Sequence, residues 1–281
     1  MKLLPIFLAT LACAAIPMSA PANSNDVTIA QISDTHLGEK HSPDAADHLR
    51  QAVVMINSRH PDAVIVSGDI GERQENREQV KTILKGLAAP VYYVPGNHEF
   101  SDIDGLARYR KQFGPDYYRF QVKGVEVLAL DSQLLGNYQT YDSKTSAPLS
   151  PAMESESQKM LAWMNEQAGP TREKVTIAVQ HIPLFRDHNF PDAKPYWTVN
   201  EPYAARETDL FHQLHIKHLL AGHWHNGRVF EKNEITIHVA PALSWLPLGG
   251  QLGFAIHTVT TNGDVHTEFV ALPEPANNSV K

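Results

Sequence analysis

Five short apolar runs in this chain each end on a residue that can hold a metal ion. VTIAQIS ends at Asp34, AVIVS-Gly at Asp69, VYYVP-Gly at Asn97, VTIAVQ at His181 and HLLAG at His223. Short apolar runs bounded by turn residues read as buried strands. In open α/β sheets, ligands bind outside the C-terminal ends of such strands. One metal-type residue after one strand means little. Five carboxylates, imidazoles or amides restrict the chain to folds that gather five strand ends.

The intervening segments fit that restriction. Helical spacing over 44–57 and 75–87 separates strands at 27–33, 63–67 and 90–95. This alternation predicts a layered α/β domain. Residues 118–132 read as two strands around a Lys123-Gly124 turn. A helix is expected at 151–168, with Met153, Met160, Leu161 and Met164 at core spacing, then a strand at 175–180. The loop 183–200 is long, proline-rich and aromatic, and loops of that length are often functional. After a helix near 202–215, strands are expected at 218–221, 228–231, 235–240, 254–260 and 264–270. There is no internal repeat. Residues 273–281 read as a flexible tail, and 23–272 as a single domain.

Two pairs stand out by spacing, Asp34-x-His36 and His223-x-His225. In extended backbone, residues i and i+2 face one side, so each pair could grip one ion. Alone, the His pair is also what a solvated surface pair looks like, and the Asp-His pair what a polar turn looks like. Beside Gly68-Asp69 and Gly96-Asn97-His98-Glu99, the metal reading is the better one. Trp224, between the two histidines, would point away from a metal and reads as a packing residue.

The N-terminus reads as an address. Lys2, the apolar stretch 3–16 and APA at 20–22 form a signal-peptide pattern over 1–22. The stretch is shorter than the roughly 20 residues of a membrane span, so no transmembrane segment is expected after cleavage. The expected location is exported, periplasmic or secreted. Cys13 is the only cysteine, a possible lipid-anchor position for which Thr10 is a poor match. Cleavage after Ala22 leaves no thiol chemistry and no disulfide, so stability must come from a core. The formal net charge of −7 becomes −8 without Lys2. That balance argues against a broad nucleic-acid surface, and so against an exported nuclease.

The ordered set DTH (34–36), GDIGE (68–72), GNHE (96–99), the strand-terminal His181 and GHWH (222–225) resembles the five motifs of the calcineurin-like metallophosphoesterases. FGPDYY, LDS and QHIPLF resemble its small phosphatase and phosphodiesterase branch. The resemblance implies a four-layer αββα sandwich with a dinuclear metal site at the strand ends. It implies Asp34, His36 and His225 on one ion, Asn97, His181 and His223 on the other, and Asp69 between them. It gives His98 the role of a catalytic residue, donating to a phosphate or leaving-group oxygen. Arg73 stands where the protein-phosphatase branch has a phosphate-contacting arginine, but Gln74 departs from that branch's glycine, and Glu72 replaces the commoner aspartate. No tyrosine follows Asp69 until Tyr92, unlike the purple acid phosphatases. Asp131 could orient a ligand or cap a loop, while Glu72 and Glu99 read as supporting residues.

Four imidazoles favour Mn, Fe, Co, Ni or Zn over Mg or Ca. Two such ions, about 3.5–4 Å apart, allow a bridging hydroxide to attack a phosphomonoester or phosphodiester in line. A small phosphoester is the expected partner. The segments 194–200 and 242–250 are aromatic and could wall its pocket, or pack as ordinary loops. The competing reading is a metal-binding protein of the same fold without turnover, which predicts a missing ligand or a missing His98. None is missing.

Overall fold

The computed structural model describes residues 25–167 and 175–273. The expected signal peptide at 1–22 and nearly all of the expected tail lie outside the described residues. Two mixed sheets face each other. The first contains β1 (Val27–Ile32), β2 (Ala63–Ser67), β3 (Val91–Val94), β10 (Gly253–Val259) and β11 (Val265–Ala271), in the order β11-β10-β1-β2-β3. The second contains β4 (Tyr118–Val122), β5 (Val125–Ala129), β6 (Thr176–Val179), β7 (His218–Ala221), β8 (Arg228–Lys232) and β9 (Ile235–Val239), in the order β4-β5-β6-β7-β9-β8. Strands β1, β2 and β3 run parallel, as do β5, β6, β7 and β9. Their C-terminal ends therefore share one edge of each sheet.

Alternation along the strands builds the layers. Ala30 and Ile32 of β1 pack with Leu49 and Ile56 of α1 (Ala45–Arg59) and Val80 and Leu84 of α2 (Gln74–Leu84). Val27 and Ile29, on the opposite face, meet Val127 and Ile177 of the second sheet. The second sheet's outer face buries Met153, Met160 and Met164 of α4 (Pro151–Glu166) and Phe211 of α5 (Tyr203–Gln213). The result is the αββα sandwich that the resemblance implies.

Helix α3 (Ile103–Phe113) has no counterpart in the sequence reading. Its signals are Asp102, whose side chain accepts from the Gly105 N–H at 2.7 Å, and the buried Leu106 and Tyr109 one turn apart. Helix α2 stops at Leu84, three residues short of the expected end, just before Gly86.

A chain of polar residues crosses the layer between the sheets. Gln31 Nε2 donates to the Ser67 Oγ at 2.7 Å and to the Ala221 carbonyl at 2.9 Å, so its oxygen must be the atom that accepts from His257 Nε2 at 2.8 Å. His257 Nδ1 then accepts from the Thr267 hydroxyl at 2.8 Å. Thr267 accepts from His238 Nδ1 at 2.7 Å, and His238 Nε2 accepts from His218 Nδ1 at 3.0 Å. Each hydrogen bond fixes the next tautomer, and His257 and His238, which each use one ring nitrogen as an acceptor, are neutral. Burial pushes His238 down to about 3, with help from His218, and lowers His218 and His257 as well.

Unfolded histidine titrates near 6.5, so the chain's stability is complete above that pH and is lost as pH falls toward the folded value. Between pH 7 and 5, His238 alone should remove about 2 kcal/mol. Urea unfolding at both pH values should show a smaller loss for His238→Gln than for the wild type, a comparison that cancels the other titrating groups. An equal loss in both proteins would contradict a neutral histidine chain.

Candidate metal centre

The candidate ligands follow directly on the strand ends, and at three of the five ends, those of β1, β2 and β7, the backbone turns left-handed. Asp34 has φ 53°, His36 41°, Asp69 50°, His223 70° and His225 55°. Asp and His tolerate this region better than most side chains, but each instance still costs about 1 kcal/mol or more. The i, i+2 geometry expected from extended backbone is therefore wrong. Asp34 and His36 do converge, but His223 and His225 diverge to opposite halves of the centre.

Backbone hydrogen bonds hold these turns. Asp34 N–H donates to the Gly68 carbonyl at 3.1 Å and His36 N–H to the Asp69 carbonyl at 2.9 Å. Glu99 accepts from the N–H groups of Gly96, Asp69 and Ile70 at 2.8–2.9 Å, tying the GD and GN turns together. Gly68, with φ 92°, could carry no side chain: a Cβ there would lie 2.6 Å from His181 Nδ1.

Among the described residues, three sets of candidate ligand atoms lie within 4.8 Å of one another: Asp34, His36 and His225; Asp69, His181 and His223; and His36, Asp69 and His98, which shares members with the two others. The first two match the two groups that the sequence resemblance implies. Asp69 Oδ2 reaches both groups, 3.3 Å from His36 Nε2 and 3.1 Å from His181 Nε2. Asn97 Oδ1 is buried without a hydrogen-bond partner, while its Nδ2 donates to the Tyr196 hydroxyl at 3.2 Å.

All four imidazoles have one nitrogen anchored and one turned inward. His36 Nδ1 is held by Glu72 Oε1 at 2.9 Å, His181 Nδ1 by the Ser67 carbonyl at 2.7 Å and His225 Nδ1 by the Trp245 carbonyl at 2.8 Å. His223 is anchored the other way round, through Nε2 to the Tyr196 carbonyl at 2.9 Å. Such anchoring sets the tautomer of a metal-ligating histidine. It also leaves His36 Nε2 and His225 Nε2 facing each other at 3.3 Å. With both rings neutral, two lone pairs at that distance repel unless a proton or a metal ion sits between them and the nearby Asp34 and Asp69 carboxylates, and a donor set of this kind fits divalent metal ions.

Charge follows the same plan. Burial opposes ionisation of Asp34, but His225 and His181 keep it well below the usual carboxylate range. Burial also opposes ionisation of Asp69, and there His181, His98 and His36 prevail. Burial would lower His181, yet Asp69 and Asp34 raise it to about 9. His223 falls to about 3 through burial and the neighbouring His181.

His98 lies beside the two groups. Its N–H donates to Asp69 Oδ1 at 2.9 Å, and its Nδ1 meets Glu72 Oε2 at 3.1 Å. Burial disfavours its charge, but Asp69 and then the bond to Glu72 carry it up to about 10. Glu72 thus holds His36 with one oxygen and His98 with the other, a double role the sequence did not show.

The remaining candidates lie elsewhere. Arg73 is 78% exposed, its guanidinium 3.9 Å from Glu75, and the structure does not bring it to the centre. Asp131 is buried and caps a 3-10 turn, accepting from Gln133 N–H at 2.9 Å. Burial and the adjacent Asp116 raise its carboxyl well above the usual range. Of the two aromatic segments, 194–200 places Tyr196 against His223, with ring centroids 4.6 Å apart, and 242–250 places Trp245 4.4 Å from His36. Beside Asn97 and His98 opens a cleft of about 340 Å³ that Tyr138, Tyr141 and Tyr196 help to line. A larger cavity of about 730 Å³ runs along 184–191 and 230–233 and contains none of the candidate ligands.

The family profile for calcineurin-like phosphoesterase matches residues 27–227. The chain is 27% identical over 222 residues to the human serine/threonine-protein phosphatase CPPED1, covering 72% of this chain and 65% of that one. It is 24% identical over 228 residues to a probable cyclic nucleotide phosphodiesterase of Fibrobacter succinogenes, covering 76% and 78%. It spans about two thirds of the length of the first of these relatives. A dimetal phosphatase from Danio rerio shares the fold, with a TM-score of 0.60 at 15% identity over 87% of this chain and 96% of that one. With a match that spans every strand end of the centre, this chain belongs to the calcineurin-like phosphoesterase family.

Proposed function

We propose that the protein hydrolyses phosphoesters on two divalent transition-metal ions. One would be held by Asp34, His36 and His225, the other by Asn97, His181 and His223, with Asp69 reaching both. The observation that carries this reading is the convergence of buried carboxylate and imidazole donors, with His36 Nε2 and His225 Nε2 3.3 Å apart and both rings anchored from behind. When bound, such ions make water nucleophilic near neutral pH and offset charge on phosphoryl oxygens.

The chain's own residues do the rest. Asp69 keeps the two groups in register and fixes the His98 backbone through its second oxygen. Glu72 occupies His98 Nδ1, so the proton His98 can lend to a leaving-group oxygen sits on Nε2. Tyr196 binds Asn97 through its hydroxyl and His223 through its carbonyl, aligning two donors from different sheets. Tyr196 and Trp245 narrow the approach of water from either side. The names of the relatives support both monoesters and diesters as substrates.

Purified protein loaded with Mn²⁺ should hydrolyse p-nitrophenyl phosphate, bis-p-nitrophenyl phosphate or both. Asp69→Ala should lose that activity and bind fewer ions by elemental analysis. Residual activity and metal content equal to the wild type would sink the assignment. His98→Ala should retain its metal and lose about 10²–10⁴-fold in kcat. The loss should shrink for esters whose leaving group departs without a proton. A uniform loss across leaving groups would deny His98 the acid role. We also propose export, resting on the leader pattern of 1–22. Cell fractionation should find mature protein beginning at Asn23 outside the cytoplasm, and a full-length cytoplasmic product would refute it.

A further inference from the structure

The cleft beside the centre differs in chemistry from the centre itself. None of the residues lining its roughly 340 Å³ is Lys, Arg, Asp or Glu. Its walls are Tyr138, Tyr141 and Tyr196, with Gln139 and Asn97 as neutral hydrogen-bonding groups and His98 at the inner end. Tyr141 is 45% exposed, a large ring left open to solvent at a cleft mouth. It is nevertheless held in place. Its ring stands edge-on to Tyr196 with centroids 5.3 Å apart, and the Lys194 ammonium lies 3.7 Å from its centroid.

Lys194 is the nearest candidate for a second anion-binding group, but it is already committed. Its Nζ is 3.3 Å from Asp142 and 3.5 Å from Asp192, so it supplies rigidity rather than free charge. Arg73 is turned away beside Glu75. A substrate extending into this cleft would therefore find positive charge at its phosphoryl end and, beyond it, uncharged walls that are mostly aromatic. A second phosphate or carboxylate there would lose hydration without a counter-charge. An uncharged ring would bury apolar area and gain edge and face contacts with tyrosine.

Building on the hydrolase reading above, we propose that the preferred substrate carries a single phosphoryl group and an uncharged aromatic ring in its ester arm. Tyr141 and Tyr196 are the residues that select it. Nucleoside di- and triphosphates and acidic phosphopeptides fall outside this class.

Non-hydrolysable phosphonates separate binding from leaving-group reactivity. Isothermal titration of the Mn²⁺-loaded protein should find phenylphosphonate binding about tenfold tighter than methylphosphonate. A second phosphonate para on the ring, as in 1,4-phenylenebisphosphonate, should cancel the gain. Tyr141→Phe should keep the preference for the phenyl compound, and Tyr141→Ala should narrow it to about twofold. Phenyl- and methylphosphonate binding equally, or the bisphosphonate binding tightest, while p-nitrophenyl phosphate is still hydrolysed, overturns the ring specificity alone. No binding of any phosphonate together with no hydrolysis overturns both readings.

Discussion

The structure is organised around two buried carboxylates that must meet positive charge. Asp34 and Asp69 are all but inaccessible to water. An ionised carboxylate taken out of water is tolerated only when paired or bound to metal. Every nearby group answers that demand. His225, His36 and His181 approach the two carboxylates at 3.1–3.3 Å, and the His223 N–H donates to both oxygens of Asp34. Glu99, a third buried acid, faces backbone N–H groups instead, and burial together with Asp69 raises its carboxyl above the usual value. Those N–H groups satisfy its oxygens without drawing on the imidazoles that Asp34 and Asp69 use.

Holding those charges together requires strand ends from both sheets to stay in register, and Gln31 does this from below. Its amide donates to Ser67 and Ala221, the residues that precede Gly68-Asp69 on β2 and Gly222-His223 on β7. The Ser67 carbonyl in turn anchors His181. One side chain therefore braces three of the turns that carry ligands, and the neutral histidine chain behind it fixes which way its amide points. The same hydrogen bonds offset the left-handed strain at Asp34, Asp69 and His223, because those turns cannot relax without breaking contacts between the sheets.

The ligand positions were legible because strand ends are legible. An apolar run of four to six residues running into a metal-type residue, through Gly at 68, 96 and 222, signals the burial and the chemistry together. The sandwich followed from the alternation of such runs with helical periods. What the sequence could not show was backbone sign. Spacing in extended chain would put His223 and His225 on one side; the family resemblance already assigned them to different ions, and the left-handed φ values are the physical cause of the split. Glu72 was read as a supporting residue, but its bridge between His36 and His98 depends on a loop conformation that no spacing rule encodes. Gln31 did leave a signal, as a polar residue inside an apolar strand on the face that Val27 and Ile29 bury. Tyr141 left none, since an isolated aromatic in a polar loop looks like any surface ring.

Trp224 shows how a residue without chemistry can set the geometry of one that has it. With left-handed turns at His223 and His225 on either side, its indole is driven inward while the two imidazoles go to opposite halves of the centre. It is fully buried, stacked near Phe230 and tilted against Phe190. Its Nε1–H donates to the Trp197 carbonyl at 2.8 Å. That bond pins the loop one residue past Tyr196, whose hydroxyl meets Asn97 and whose carbonyl holds His223. A smaller side chain at 224 would leave a core cavity and free this loop together. The tyrosine wall of the cleft and the anchoring of His223 thus depend on the same buried indole, which couples substrate fit to ligand alignment through packing.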